Sequence, residues 1–138
     1  MKKKFLVLGL LIVLMASLVI QSYLSYVPKP NTSKEKIKIS LKISFGSSSN
    51  VSKTIEATNS STVFDVLNSS EKVVYKEYAG MGKMVNSING IASNSSFYWL
   101  YFVDEQIAQV ACDKFILTKD SSVYFQLTSS EESMKYFK

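Results

Sequence analysis

The run Ser96-Phe97-Tyr98-Trp99-Leu100-Tyr101-Phe102-Val103 is the most apolar stretch beyond the N-terminus and holds the one tryptophan. Aromatic and β-branched side chains suit a pleated surface, so the run predicts a strand. Alternation puts Phe97, Trp99, Tyr101 and Val103 on one face and Tyr98, Leu100 and Phe102 on the other. Both faces are apolar, so the strand is expected at the centre of a sheet. The leucine-centred trio is the more ordinary core set. It is expected to pack toward a helix bearing Phe64 and Leu67. Phe97, Trp99 and Tyr101 would then be free as an aromatic shelf for a planar ligand, a glycan or a partner chain.

The rest of the chain supplies partners for this strand. Lys36 to Phe45 alternates strictly, with Ile37, Ile39, Leu41, Ile43 and Phe45 on one side and lysines and serines on the other, which predicts a half-buried strand. Gly46 to Asn50 is a turn, and Val51 to Ala57 returns as the hairpin partner. Thr62-Val63-Phe64-Asp65-Val66-Leu67 opens a short helix, with Thr62 as cap and Asp65 reaching back to it. Met84 to Ile88 predicts a strand ending in Asn89-Gly90, a tight-turn pair that tolerates positive φ. Phe115 to Leu117 and Val123 to Leu127 read as the last strands, and residues 129–138 as a frayed polar tail. A hairpin, a helix and further strands describe an α+β domain: a β-grasp-like mixed sheet covered by one short helix.

Lys2, Lys3 and Lys4 precede sixteen almost wholly apolar residues, Phe5 to Ile20. A cleaved signal peptide and an uncleaved anchor both fit such a start. The apolar run is long, no small-x-small pair follows it, and two tyrosines stand near Val27. Extended to Val27, it is long enough to span about 30 Å of bilayer. The sequence therefore divides into an N-terminal transmembrane anchor helix, or a signal peptide, over residues 1–27, a linker over 28–35, a domain over 36–128 and the tail over 129–138. The lysines would stay cytoplasmic, placing residues 28–138 outside a single-pass cell-membrane protein.

Several chemistries are disfavoured. Arginine and histidine are both absent, removing the best bidentate phosphate donor and the usual general base and metal ligand. Beyond Pro28 the lysines exceed the acids by only two. No nucleic acid is expected as partner. The acids are too scattered for a carboxylate pair or a cation cage, so no metal or cofactor is expected. Ser33/Lys36 and Ser69/Lys72 fit Ser-x-x-Lys, a spacing that chance supplies in a chain rich in both residues. Cys112 reads as a small buried residue, or as a thiol for pairing between chains. Asn31, Asn50, Asn59, Asn68 and Asn94 begin Asn-x-Ser/Thr sequons.

Three pieces together resemble the transcobalamin-like C-terminal domain family, DUF4430. They are Thr62-Val63-Phe64-Asp65-Val66-Leu67, then Gly82-Lys83-Met84-Val85-Asn86-Ser87-Ile88-Asn89-Gly90, then Tyr98-Trp99-Leu100-Tyr101-Phe102-Val103. The resemblance covers residues 36–127 and rests on their order and spacing. Asp104-Glu105 stands where the family usually has Asn-Gly, Ala111 where it has glycine, and Asp120-Ser121 where it has Gly-Asp. These departures are expected to alter turn geometry. In cobalamin carriers such as intrinsic factor the related domain closes over one face of the corrinoid, which a helical barrel also holds. No barrel is present in this sequence, so the resemblance implies small-molecule binding only by analogy. The expectation is a membrane-anchored, extracytoplasmic and non-catalytic binding module for a small molecule, cobalamin-like or otherwise, or for a glycan. The alternative is an envelope protein-interaction or structural domain that uses a strand edge.

Overall fold

The computed structural model describes residues 34–46 and 50–137; the expected anchor over residues 1–27 lies outside them. Residues 34–138 fall in one compact unit. Among the described residues no helix is long and apolar enough to cross a membrane.

The strands are β1 (Lys36–Ser44), β2 (Asn50–Thr58), β3 (Val73–Tyr78), β4 (Gly82–Ile88), β5 (Ile91–Ala92), β6 (Phe97–Val103), β7 (Gln106–Ile107) and β8 (Ser121–Ser129). Helix α1 (Val63–Ser70) follows β2, and the short α2 (Ser130–Ser133) follows β8. The fold is α+β, as expected, but the strands form two sheets rather than one. A five-stranded sheet has the order β2-β1-β8-β6-β7, and a three-stranded sheet the order β3-β4-β5. Only β1 and β8 pair in parallel; the other pairs are antiparallel.

Helix α1 begins where the sequence places it. The Thr62 hydroxyl accepts from Asp65 N, and an Asp65 carboxylate oxygen accepts from Thr62 N, a reciprocal capping box. Val63, Phe64, Val66 and Leu67 are buried against the β1 residues Ile37, Ile39, Leu41 and Ile43 and against Val123 and Phe125 of β8. Phe115 to Leu117 is not a strand. Phe115 O accepts from Val63 N, and Leu117 N donates to Ser61 O, so the segment closes the helix start instead.

The register decides which face of β6 meets the helix. Leu41 and Ile43 sit beside Val123 and Phe125, which in turn sit beside Val103 and Tyr101. Cross-strand partners share a face. Trp99, Tyr101 and Val103 therefore pack on the helix side, and the expected orientation of β6 is reversed. Tyr98, Leu100 and Phe102 point to the opposite face. There Phe102 meets the rings of Tyr124 and Tyr136 at 5.8 and 5.1 Å. The C-terminal segment covers this face: the hydroxyls of Tyr98 and Ser133 are hydrogen-bonded, and Ser133 is buried. The expected frayed tail is thus, up to residue 137, partly a helical cover.

Both two-residue hairpins use positive φ. Asn89 and Gly90 lie at 51° and 85°, as their sequence predicts. Asp104 and Glu105 lie at 48° and 67°, so this turn keeps its left-handed geometry without the glycine. Asp104 manages because its carboxylate accepts from Ser122 N at 2.8 Å. Glu105 is exposed and has no such bond among the described residues. Left-handed backbone costs an L-residue roughly 1–2 kcal/mol, which glycine avoids at some cost in unfolded-chain entropy. Glu105→Gly should therefore raise stability by about 0.5–1 kcal/mol, read as an upward shift in the urea midpoint.

Candidate functional site

A cleft of about 580 Å³ opens between the β3–β4 hairpin, β6 and the segment 108–114. Its shape depends on Gly82, which is buried at φ 106°. A Cβ there would lie 2.5 Å from Asp113 Oδ1 and 2.7 Å from the Ala111 Cβ. Only glycine lets the segment 111–113 close onto β4. Asp113 then accepts from Lys83 N at 2.8 Å. That bond does most to hold its carboxyl below the usual range, against partial desolvation and with help from Lys114 and Lys83.

Trp99 and Tyr101 line the inner wall. Trp99 packs edge-on to Phe45 at 5.6 Å, and its indole N–H donates to Ile91 O at 3.3 Å. Tyr101 stacks on Phe125 at 5.5 Å, and its hydroxyl donates to Val110 O at 2.6 Å. The polar tips of both aromatics are therefore taken up by backbone carbonyls. Both residues pack on the core while lining the cleft. Phe97 does not line it; this side chain is 43% exposed at the start of β6. The three shelf residues are thus not brought together as one surface.

The rim is formed by residues that the sequence did not single out as a site. Met81, Met84 and Val110 are 69%, 59% and 50% exposed, which is unusual for apolar side chains gathered around one opening. Their only signal in the sequence was a methionine-bearing glycine loop, Gly80-Met81-Gly82. Lys83 and Lys114 are the charged lining residues. The Lys83 ammonium lies over the Phe64 and Tyr75 rings at 4.3 and 4.7 Å, and that of Lys114 lies 3.7 Å from Asp113.

The lining is chemically quiet. Burial, with Cys112 and Asp113 nearby, pushes the Tyr101 phenol well above its ordinary value, so it stays protonated. Burial and the Asp113 charge push the Cys112 thiol up to about 11. A buried protonated thiol is a poor nucleophile and a poor partner for pairing between chains. Among the described residues no three His, Cys, Asp or Glu side chains are grouped to hold a metal ion.

Two strand edges also open on this cleft. β7 pairs only with Phe102 and Val103, so Phe97 to Tyr101 have a strand on the β8 side alone. β5 pairs only with Ser87 and Ile88, which leaves Gly82 to Asn86 bordered by β3 alone. Single bonds fill part of these edges: Asn94 N donates to Phe97 O, and Ala108 N donates to Tyr101 O.

The fold has known counterparts. The crystal structure of haptocorrin in complex with Cbi superposes with a TM-score of 0.61 at 11% identity, over 72% of this chain and 27% of that one. The chain thus spans about a quarter of haptocorrin's length. A Ruminococcus gnavus protein proposed to bind metal also gives a TM-score of 0.61 at 11% identity, over 68% of this chain and 98% of that one. At such identity the likeness shows the fold. No curated protein matches the sequence. A protein-family model described as a domain of unknown function, DUF4430, matches residues 60–129. That stretch takes in α1, the β4–β5 turn, β6 and all of β8, and by it the chain belongs to the DUF4430 family.

Proposed function

We propose that this chain is a non-catalytic binding module whose cleft takes a small, largely apolar molecule. One observation carries the reading. The cleft of about 580 Å³ lies within the range of ligand sites, has an aromatic inner wall, and is rimmed by exposed methionines. Methionine adapts its shape to a ligand, and the fixed Trp99 and Tyr101 rings offer flat surface. A glycan fits less well, because the indole N–H and phenol hydroxyl that would orient its hydroxyls already serve Ile91 and Val110. The likeness to haptocorrin, crystallised with Cbi, makes a corrinoid the first ligand to try. The β-grasp-like scaffold would be displayed outside the cell on the helix over residues 1–27. Support for that placement is the lysine-led apolar run in the sequence.

Trp99 is the only tryptophan and sits in the cleft wall, so it reports occupancy directly. Titration with a corrinoid and with a panel of planar apolar compounds should change its emission saturably for at least one class. Met84→Glu at the exposed rim should weaken that binding at least tenfold without moving the unfolding midpoint. A ligand whose affinity is indifferent to Met84→Glu would place binding elsewhere.

The open edges of β4 and β6 favour a second reading, in which an envelope protein adds a strand at the cleft. A peptide that competes with the small molecule and gains amide protection along Trp99 and Tyr101 would support it.

A further inference from the structure

The sulfur atoms of the described residues are unevenly guarded. Cys112, the one cysteine of the chain, is buried, and burial with the Asp113 charge pushes its thiol up to about 11. A shielded, protonated thiol reacts slowly with oxidants. The thioethers are placed in the opposite way. Met81, Met84 and Met134 are 69%, 59% and 67% exposed. Met134 ends the short α2 and lies outside the lining of the cleft. Met81 and Met84 both line it, and both belong to the lip made by the β3–β4 hairpin. Met81 stands in the hairpin loop, where its N–H donates to Tyr78 O at 3.1 Å, and Met84 follows on β4 beside Lys76 of β3.

Exposed methionines scattered over a surface are ordinary. These two are not scattered, because they form the apolar rim through which a guest would enter. We propose that Met81 and Met84 are a modification site: their oxidation to methionine sulfoxide by a peroxide expels an apolar molecule from the cleft, and their reduction readmits it. The inference rests on the cleft reading given above and adds its regulation. In the forward step a thioether lone pair attacks one peroxide oxygen, and the sulfur loses two electrons. The S–O bond forms as the O–O bond breaks; one oxygen stays on sulfur and the other leaves as water with both peroxide protons. A dithiol reductant reverses the change. It supplies two electrons and two protons, the sulfoxide oxygen leaves as water, and the dithiol closes to a disulfide.

The two oxidation states differ in what they can cover. A thioether is apolar and polarisable, and it fits its shape to an apolar guest. A sulfoxide is strongly polar, and an apolar guest would strip water from it with no hydrogen bond in return. The aromatic wall cannot supply that bond, since the Trp99 indole N–H and the Tyr101 hydroxyl already serve Ile91 O and Val110 O. Met134 is as open to oxidants as the other two but borders no cleft, so it is a built-in comparison.

Energy transfer from Trp99 to the planar dye anilinonaphthalene sulfonate tests the proposal on the full-length protein. Trp99 is the only tryptophan and lines the cleft, so the dye excited through it is dye at the site. Mild hydrogen peroxide should add an oxygen to Met81, Met84 and Met134, seen by peptide mapping, and leave Cys112 and Trp99 unchanged. Dye affinity should then fall about tenfold or more, and methionine sulfoxide reductase with a dithiol should restore it. Met134→Leu should show the same loss as the wild type. The double variant Met81→Leu with Met84→Leu, whatever its starting affinity, should be indifferent to peroxide. Three results overturn the switch and leave the cleft reading standing: dye binding that survives full oxidation of Met81 and Met84, a loss that the reductase does not reverse, or a loss that persists in the double variant. No energy transfer in the untreated protein overturns the cleft reading and the switch together.

Discussion

Replacing Gly82 with alanine should cost on the order of 2–5 kcal/mol, the largest effect expected of a single added methyl in this domain. Two penalties combine. The φ of 106° is a backbone state that L-residues rarely adopt, and the new Cβ would meet Asp113 Oδ1 at 2.5 Å and the Ala111 Cβ at 2.7 Å. Moving the carboxylate aside would break its 2.8 Å bond from Lys83 N and expose a buried donor. Asp113→Ala should therefore not rescue Gly82→Ala, because the backbone strain and the Ala111 clash remain. Gly46, Gly80 and Gly90 have open space where a Cβ would go. Alanine there should cost only the left-handed backbone term, roughly 1–2 kcal/mol. Urea unfolding of the four variants ranks them. A Gly82→Ala midpoint no lower than that of Gly80→Ala would mean that the segment 111–113 does not close on β4.

The second large effect compares the two faces of the sheet. Phe125→Ala should destabilise by about 3–5 kcal/mol, since that ring is almost fully buried in the main core and stacked under Tyr101. Leu100→Ala should cost less, below about 2 kcal/mol, because Leu100 is half-buried on the opposite face. Tyr101→Ala should fall nearer to Phe125→Ala than to Leu100→Ala, as it removes a ring stacked on Phe125 and a hydrogen bond to Val110 O. The sequence reading orders these residues the other way, with Leu100 in the core and Tyr101 expendable. Chemical denaturation of the three variants decides between the two orders.

The parts of the fold legible in the sequence were those carried by local chemistry. The strict alternation of Lys36 to Phe45 specified β1 and its buried side. Thr62 and Asp65 specified the helix start, and Asn89-Gly90 the type of turn. Each is set within a few residues by side-chain period, capping or permitted φ, so no distant contact is needed to read it. Order and spacing also carried the family, whose match over residues 60–129 spans the three quoted pieces.

What only the tertiary structure decided is pairing between distant segments. Both faces of β6 are apolar, so its pattern is symmetric and cannot say which face meets the helix; the Tyr101–Phe125 and Ile43–Phe125 registers break that symmetry. Asp104-Glu105 lacks glycine, yet it forms a left-handed turn because Ser122, eighteen residues on, is bonded to Asp104. The cleft depends on Gly82 meeting Ala111 and Asp113, and Glu71, just past the helix, meets Lys53 of β2 and Asn89 of the β4–β5 turn. No sequence periodicity encodes such meetings. They exist only once the hydrophobic faces have been buried together and the register has been chosen.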